Sequence, residues 1–135
     1  MTPRAPVTVV VPTIGRTAML AALLGSLAAC DPQPDEVLLV DQSGEGDVTA
    51  LAAAFTALDV RCMTTAPPNI ARAMNAGLAA ARHRTCLITN DDITVAPNWV
   101  GRCHAHVLDA LGALVTGRVL AGGTDPRRVP SVMTA

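Results

Sequence analysis

Runs of β-branched residues alternate with apolar stripes at helical spacing along most of this chain, and that alternation restricts the folds open to it. Val7-Thr8-Val9-Val10-Val11 is β-branched throughout and stops at Pro12, the pattern of a buried strand. Leu20, Leu23, Leu24 and Leu27 then recur at helical spacing, and the stripe ends before Asp31-Pro32. Glu36 to Val40 reads as a second strand, closed by Asp41. Asp47 is placed to cap a helix running to about Ala57, and Val60 to Met63 reads as a third strand. Ile70, Ala73, Met74, Gly77, Leu78 and Ala81 return to helical spacing, and Arg84 to Thr89 is the fourth strand. Pro97 suits the first turn of a helix, where its missing N–H costs nothing. That helix is expected to bury Trp99, Val100, Cys103, Val107 and Leu111. Ala113 to Thr116 is read as a fifth strand, and 118–135, rich in Gly, Pro and Arg, as loop or frayed end.

Strands and helices in strict alternation call for a mostly parallel sheet with right-handed crossovers and helices on both faces. The expected fold class is α/β, a Rossmann-like three-layer α/β/α sandwich. At 135 residues the chain is expected to form one domain, 1–135, with a core of its own. With one Phe, one Trp and no Tyr, that core has to be built from Ala, Val, Leu, Ile and Met.

Charge and cysteine usage narrow the function. The net charge is −1, Lys is absent, and no Arg run interleaves with aromatic residues, so nucleic acid is not an expected partner. Cys30, Cys62, Cys86 and Cys103 are widely spaced with no C-x-x-C, which suits free thiols in a reducing compartment. The amino terminus has no signal-peptide pattern. The longest apolar segment, Ala18 to Cys30, is shorter than the ~20 residues that span a bilayer. A soluble, cytoplasmic protein with no membrane span is expected.

Polar residues gather just after the predicted strands: Thr13 and Arg16, Asp41 and Ser43, then Asn90-Asp91-Asp92. In a parallel sheet all three sets fall at the carboxyl edge, where open α/β sheets bind ligands. The adjacent carboxylates of Asp91 and Asp92 repel each other, and a divalent cation best offsets that repulsion. Asp92 is the first candidate metal ligand, with Asp91 or Asn90 as a second ligand or a ribose contact. Mg²⁺ or Mn²⁺ suits such a site, since either takes one or two carboxylates and completes its shell with phosphate oxygens. The plainer alternative is a turn that caps the next helix.

Asp41 is placed to accept from a base N–H or from ribose hydroxyls, or else to form a turn with Ser43-Gly44. Thr13 can approach a base or phosphate, and Arg16 can pair with phosphate, or the two can be a helix cap and a solvated side chain. Asn69, Arg72 and Asn75 sit at the start of the third predicted helix, where phosphate is favoured; Arg72 can equally be a surface residue. His83, His104 and His106 have no metal-ligand spacing and read as structural or surface residues. Gly44-Glu45-Gly46 lacks the third glycine of a dinucleotide loop, and no Ser or Cys nucleophile sits in a recognisable motif.

Taken in order, four segments resemble the amino-terminal, donor-binding half of family-2 glycosyltransferases, which have the GT-A fold. Val7 to Arg16 (V-T-V-V-V-P-T-I-G-R) is similar to the opening strand and its Pro-Thr-x-x-Arg turn. Glu36 to Ser43 (E-V-L-L-V-D-Q-S) is similar to the second strand and its base-binding aspartate. Asn69 to Gly77 (N-I-A-R-A-M-N-A-G) is similar to the helix that ends in Asn-x-Gly, and Leu87 to Trp99 (L-I-T-N-D-D-I-T-V-A-P-N-W) to the Asp-x-Asp segment with its Pro-x-Trp follow-on. The resemblance covers roughly residues 7 to 120.

It implies a nucleotide-diphosphate sugar as donor, a saccharide or other hydroxyl compound as acceptor, and inversion at the sugar. It assigns Pro12, Thr13 and Asp41 to base and ribose, Asn75 to the nucleotide side, and Asp92 to the metal on the diphosphate. Three positions depart from the family pattern. Gln42 stands where many relatives have a second Asp, Met74 where many have Arg, and Asn90 at the first position of Asp-x-Asp, where its oxygen is neutral. A carboxylate base for the acceptor hydroxyl is expected from a later, acceptor-binding half. The chain ends at Ala135 with only Asp125 as an acid after Asp109, so the catalytic base is unassigned and the acceptor half is expected to be missing. The rival expectation is a non-catalytic nucleotide-sugar-binding or protein-interaction module on the same fold. A nucleotidyltransferase would want a Lys-containing glycine-rich loop after the first strand, and a phosphoaspartyl phosphatase would have its Asp-x-Asp there; neither is present. A truncated sheet would also leave an apolar surface that favours self-association.

Overall fold

The computed structural model describes residues 2–109, 115–116 and 133–134. Four parallel strands, β1 (Arg4–Thr13), β2 (Gln33–Asp41), β3 (Val60–Thr64) and β4 (Thr85–Ile88), form one sheet in the order β3-β2-β1-β4. They alternate with helices α1 (Thr17–Ala28), α2 (Asp47–Ala54), α3 (Ile70–Ala80) and α4 (Trp99–Asp109). The chain builds outward from β1 to β3 on one side and then places β4 on the other. The point where the order reverses therefore lies beside β1, and a crevice opens there at the carboxyl ends of the strands.

Alternation along the strands produces two buried faces. Val7, Val9, Val11, Val37 and Leu39 pack with the α1 stripe and with Val48, Val100 and Cys103 from α2 and α4. Leu20, Leu23, Leu24 and Leu27 are completely buried, each contributing roughly 2 kcal/mol by removal of its side chain from water. On the opposite face Val10 and Val40 meet Ala73 of α3. The result is the α/β/α sandwich expected from the alternating pattern. Gly77 makes the second layer close: a Cβ there would lie 3.1 Å from Val40 Cγ2 and closer still to Val10 Cγ1.

Several boundaries differ from the sequence reading. β1 continues through Pro12 to Thr13. Val10 O accepts from Thr89 N–H, so Pro12, two residues on, has its missing N–H on the β4 side, past the last β1–β4 pair at Val10–Ile88. β2 starts three residues early because Gln33 and Pro34 pair with Arg4 and Ala5. The residue flanking α2 is Gly46, at φ +81°, with Asp47 already in the first turn, and the helix stops at Ala54. α4 begins at Trp99, after a turn in which Trp99 N–H donates to Ala96 O. It buries Val100 and Cys103 as expected but leaves Trp99 and Val107 half-buried, and Leu111 lies outside the described residues. Val115–Thr116 does not extend the parallel sheet; it pairs antiparallel with Met133–Thr134, a segment read as loop. Residues 113, 114 and 117–132 lie outside the described residues.

All four cysteines are free, and burial pushes each thiol up from its ordinary pKa. Among the described residues no helix is long and apolar enough to cross a membrane.

One buried charge was not foreseen. Glu36, fully buried on β2, accepts from Thr8 Oγ1 at 2.9 Å, Arg82 N–H at 3.0 Å, Arg61 Nε at 2.7 Å and Arg82 Nε at 2.6 Å. Arg61 also donates to Ala80 O, Arg82 pairs with Asp59, and His83 Nε2 lies 2.7 Å from Asp35. This network fastens the end of α3 to β1, β2 and β3 at the edge of the sheet away from the crevice. Burial would raise the Glu36 pKa, but the four donors outweigh it and hold the carboxyl at about 2. Asp59 first, and then Glu36, raise the Arg82 pKa.

Candidate functional site

The carboxyl ends of β1, β2 and β4 converge as their register requires. Thr13 is paired with Asp41 across the β1–β2 ladder, and Gln42 N–H continues that ladder to Thr13 O. On the other side Thr13 donates its hydroxyl to Asp91 Oδ2 at 2.9 Å, tying β1 to the segment after β4. Asp91 is buried, at 1 % exposure. Its other oxygen, Oδ1, lies 3.1 Å from Arg16 NH2, and Arg16 NH1 lies 3.8 Å from Asp92 Oδ2. One half-exposed guanidinium thus spans both carboxylates. Arg16 follows Gly15, whose φ of +71° turns the chain between β1 and α1. It flanks the start of α1, where a donor-only guanidinium cannot cap the helix N–H groups, and its side chain turns to the acids instead.

These residues border a cleft of about 280 Å³. Of the sequence candidates, Pro12, Thr13, Arg16, Asn69, Asn90 and Asp91 line it. Asp92 stands at its margin through Arg16, about 44 % exposed. Asp41 is buried and its Oδ1 accepts from Ser43 N–H at 2.8 Å and Ser43 Oγ at 2.6 Å, so one of its oxygens serves the turn given as the alternative. Arg72 and Asn75 are exposed on α3 and do not line the cleft; Arg72 NH1 folds back to Pro67 O at 3.0 Å.

Asn69 has a structural duty as well. Its side chain accepts from Arg72 N–H at 2.9 Å and caps α3. Its own N–H donates to Gln42 Oε1 at 2.8 Å. The amino end of α3 is therefore held against the end of β2, with the helix dipole directed at the cleft. Gln42 was noted in the sequence only as a departure, yet it is buried, lines the cleft and positions α3. Ile14 and Ile70, both exposed at the rim, were missed too. Ile14 lies in a loop with no periodicity to betray it, and Ile70 shares the spacing of the α3 stripe although it faces the cleft rim. The hydroxyl of Thr65, next to the β2 end through Thr65 N–H to Asp41 O, is buried without a hydrogen-bond partner among the described residues.

The donor set suits a hard divalent cation that brings its own ligands. Asp91 and Asp92 supply carboxylate oxygens and Asn90 an amide oxygen on the same turn. No cluster of three or more His, Cys, Asp or Glu side chains able to hold a metal occurs among the described residues, so a full protein cage is not on offer. Arg16 already occupies the place where the paired acids call for positive charge. Oxygen-only donors, two of them anionic, match Mg²⁺ or Mn²⁺ and not a soft metal.

Comparison with known proteins agrees with this fold. A family model described as glycosyl transferase family 2 matches residues 8–133. No curated relative matches in sequence. Among solved structures, the mannosyltransferase PcManGT from Pyrobaculum calidifontis, in complex with GDP-Man and Mn²⁺, is 26 % identical with a TM-score of 0.69, over 94 % of this chain and 38 % of that one. S. aureus TarS 1-349 in complex with UDP-GlcNAc is 21 % identical with a TM-score of 0.69, over 90 % of this chain and 37 % of that one. Glucosyl-3-phosphoglycerate synthase from Mycobacterium tuberculosis, in complex with Mn²⁺, UDP and glucosyl-3-phosphoglycerate, is 21 % identical with a TM-score of 0.65, over 87 % of this chain and 44 % of that one. The chain thus spans well under half the length of these relatives.

Proposed function

Since the chain belongs to glycosyl transferase family 2, we propose that it binds a nucleotide-diphosphate sugar and a divalent cation in the cleft beside β1 and serves glycosyl transfer. Residues 1–135 are then one nucleotide-sugar-binding domain. The observation that carries most weight is the meeting of Arg16, Asp91 and Asp92 with the amino end of α3 at the carboxyl edge of the sheet. Positive side-chain charge, a helix amino terminus and a pair of carboxylates together match a diphosphate bridged by a cation.

In this proposal Pro12, Thr13 and Asp41 hold the base and ribose, with the exposed Ile14 and Ile70 as apolar walls. Arg16 and the α3 terminus at Asn69 face the diphosphate, and Asp92 with Asn90 or Asp91 holds Mg²⁺ or Mn²⁺. Arg72 and Asn75 join only if α3 and the preceding loop shift toward the ligand. The metal, when bound, supplies charge neutralisation at the diphosphate leaving group. In transfer the acceptor oxygen attacks the anomeric carbon with inversion, the bond to the diphosphate breaks, and a base takes the hydroxyl proton. No described residue beside the cleft is assigned as that base.

Titration calorimetry of the full chain with UDP and GDP, each with and without Mn²⁺, tests the proposal. Binding that requires the metal is the expected result. No binding, or binding indifferent to Mn²⁺, would favour a non-catalytic interaction module on the same fold.

A further inference from the structure

Among the described residues, Arg16 is the one basic side chain that reaches both acids of the cleft: its NH2 is 3.1 Å from Asp91 Oδ1 and its NH1 3.8 Å from Asp92 Oδ2. Three features set this contact apart from an ordinary surface ion pair. Asp91 is at 1 % exposure, so its charge is costly without a partner. Thr13 already holds the other Asp91 oxygen, which fixes the carboxylate and leaves Oδ1 to face Arg16. The planar guanidinium presents several N–H donors in one fork, so it meets both carboxylates at once and another cation takes its place only when the side chain moves. A half-exposed side chain in the loop between β1 and α1 has room to do so.

From this we infer that Arg16 is a positioning residue that acts as an exchangeable counter-cation: it neutralises Asp91 and Asp92 in the ligand-free protein and transfers to the diphosphate when nucleotide and divalent cation enter together. The inference rests on the donor-binding proposal above. Without nucleotide, Arg16 competes with a divalent ion for the same two carboxylates, and ion binding is weak. With nucleotide, the phosphate oxygens offer Arg16 a second anionic partner, and the carboxylates are released. Metal and nucleotide then strengthen each other's binding by the same factor, as linkage requires. The device keeps the acids paired in both states, so the buried Asp91 is never left as an isolated charge.

The test is Mn²⁺ binding by the full chain, read from the loss of the free-ion electron paramagnetic resonance signal, with and without UDP or GDP. Wild type, Arg16→Ala and Arg16→Lys are compared, with folding checked by circular dichroism. Arg16→Ala is expected to bind Mn²⁺ alone more tightly than wild type, by about fivefold or more. It is also expected to bind nucleotide in the presence of Mn²⁺ more weakly. Arg16→Lys keeps the charge and is expected to keep the weak Mn²⁺-alone binding. Unchanged or weaker Mn²⁺-alone binding in Arg16→Ala overturns the inference. A wild type that binds neither UDP nor GDP overturns the donor-binding proposal instead, and the Mn²⁺-alone comparison still decides the part assigned to Arg16.

Discussion

The Thr13 hydroxyl donates to the buried Asp91 carboxylate at 2.9 Å, and this bond joins the last residue of the central strand to the acidic turn after β4. Replacing Thr13 by Val keeps the shape and removes the donor. Among the described residues Asp91 would then keep Arg16 as its side-chain partner. A loss of about 1–3 kcal/mol in unfolding free energy is expected, since a buried acceptor is left short of a partner. Urea denaturation at neutral pH measures it. Metal-dependent nucleotide binding should weaken in the same variant.

Asp92 differs from Asp91 in being substantially exposed, with only the loose Arg16 pair. Asp92→Asn should therefore leave the melting temperature nearly unchanged. Under the proposed function it should still weaken Mn²⁺-dependent UDP or GDP binding by at least about tenfold, the low end of what loss of a metal site's supporting groups costs. Chelation with EDTA should reproduce that loss in the wild type. Titration calorimetry reads both effects.

Gly77 sits where α3 presses on β1 and β2, and a Cβ there would clash with Val10 Cγ1. Gly77→Ala should destabilise the protein by roughly 1–3 kcal/mol, the cost of overpacking a filled interior, although alanine is the better helix former. Chemical denaturation would show the change. A more stable variant would mean that α3 can lift off the sheet at no cost.

Glu36 makes stability depend on pH in a defined window. Its folded pKa of about 2 lies below the ordinary glutamate value of 4.5, so its contribution is complete above about pH 4.5. That contribution is lost as pH falls through 4.5 toward 2. The shift corresponds to roughly 3 kcal/mol at neutral pH. Glu36→Gln should lower stability at pH 7 by an amount of that order and flatten the fall between pH 5 and pH 2. Unfolding curves at a series of pH values, wild type against variant, measure the difference.

The parallel sandwich was legible in the sequence because Val7–Val11, Glu36–Val40 and the α1 leucine stripe carry unambiguous periods. The carboxyl-edge site was legible for a topological reason: residues that follow parallel strands share one edge whatever the loops do. Thr13, Arg16, Asn90 and Asp91 came together on that ground alone. Boundaries were harder. Pro12 looked like a terminator, and only the stagger between β1 and β4 makes its missing N–H harmless. Gln42 and the Glu36 cluster were not legible, because their partners lie 25 or more residues away and no local pattern marks such pairings. Ala113 to Thr116 has the composition of a strand, but composition does not name a partner, and Val115–Thr116 pairs with Met133–Thr134 instead of the main sheet.

Glu36 and Asp41 are five residues apart on one strand, about 16 Å at the usual rise per residue. The clamp lies at the first, and the second stands beside the proposed donor site. Changes that harden the protein against acid or heat can be made around Arg61, Arg82 and Asp59 without altering the cleft. Engineering for durability and engineering for donor choice can therefore proceed as separate campaigns on this scaffold.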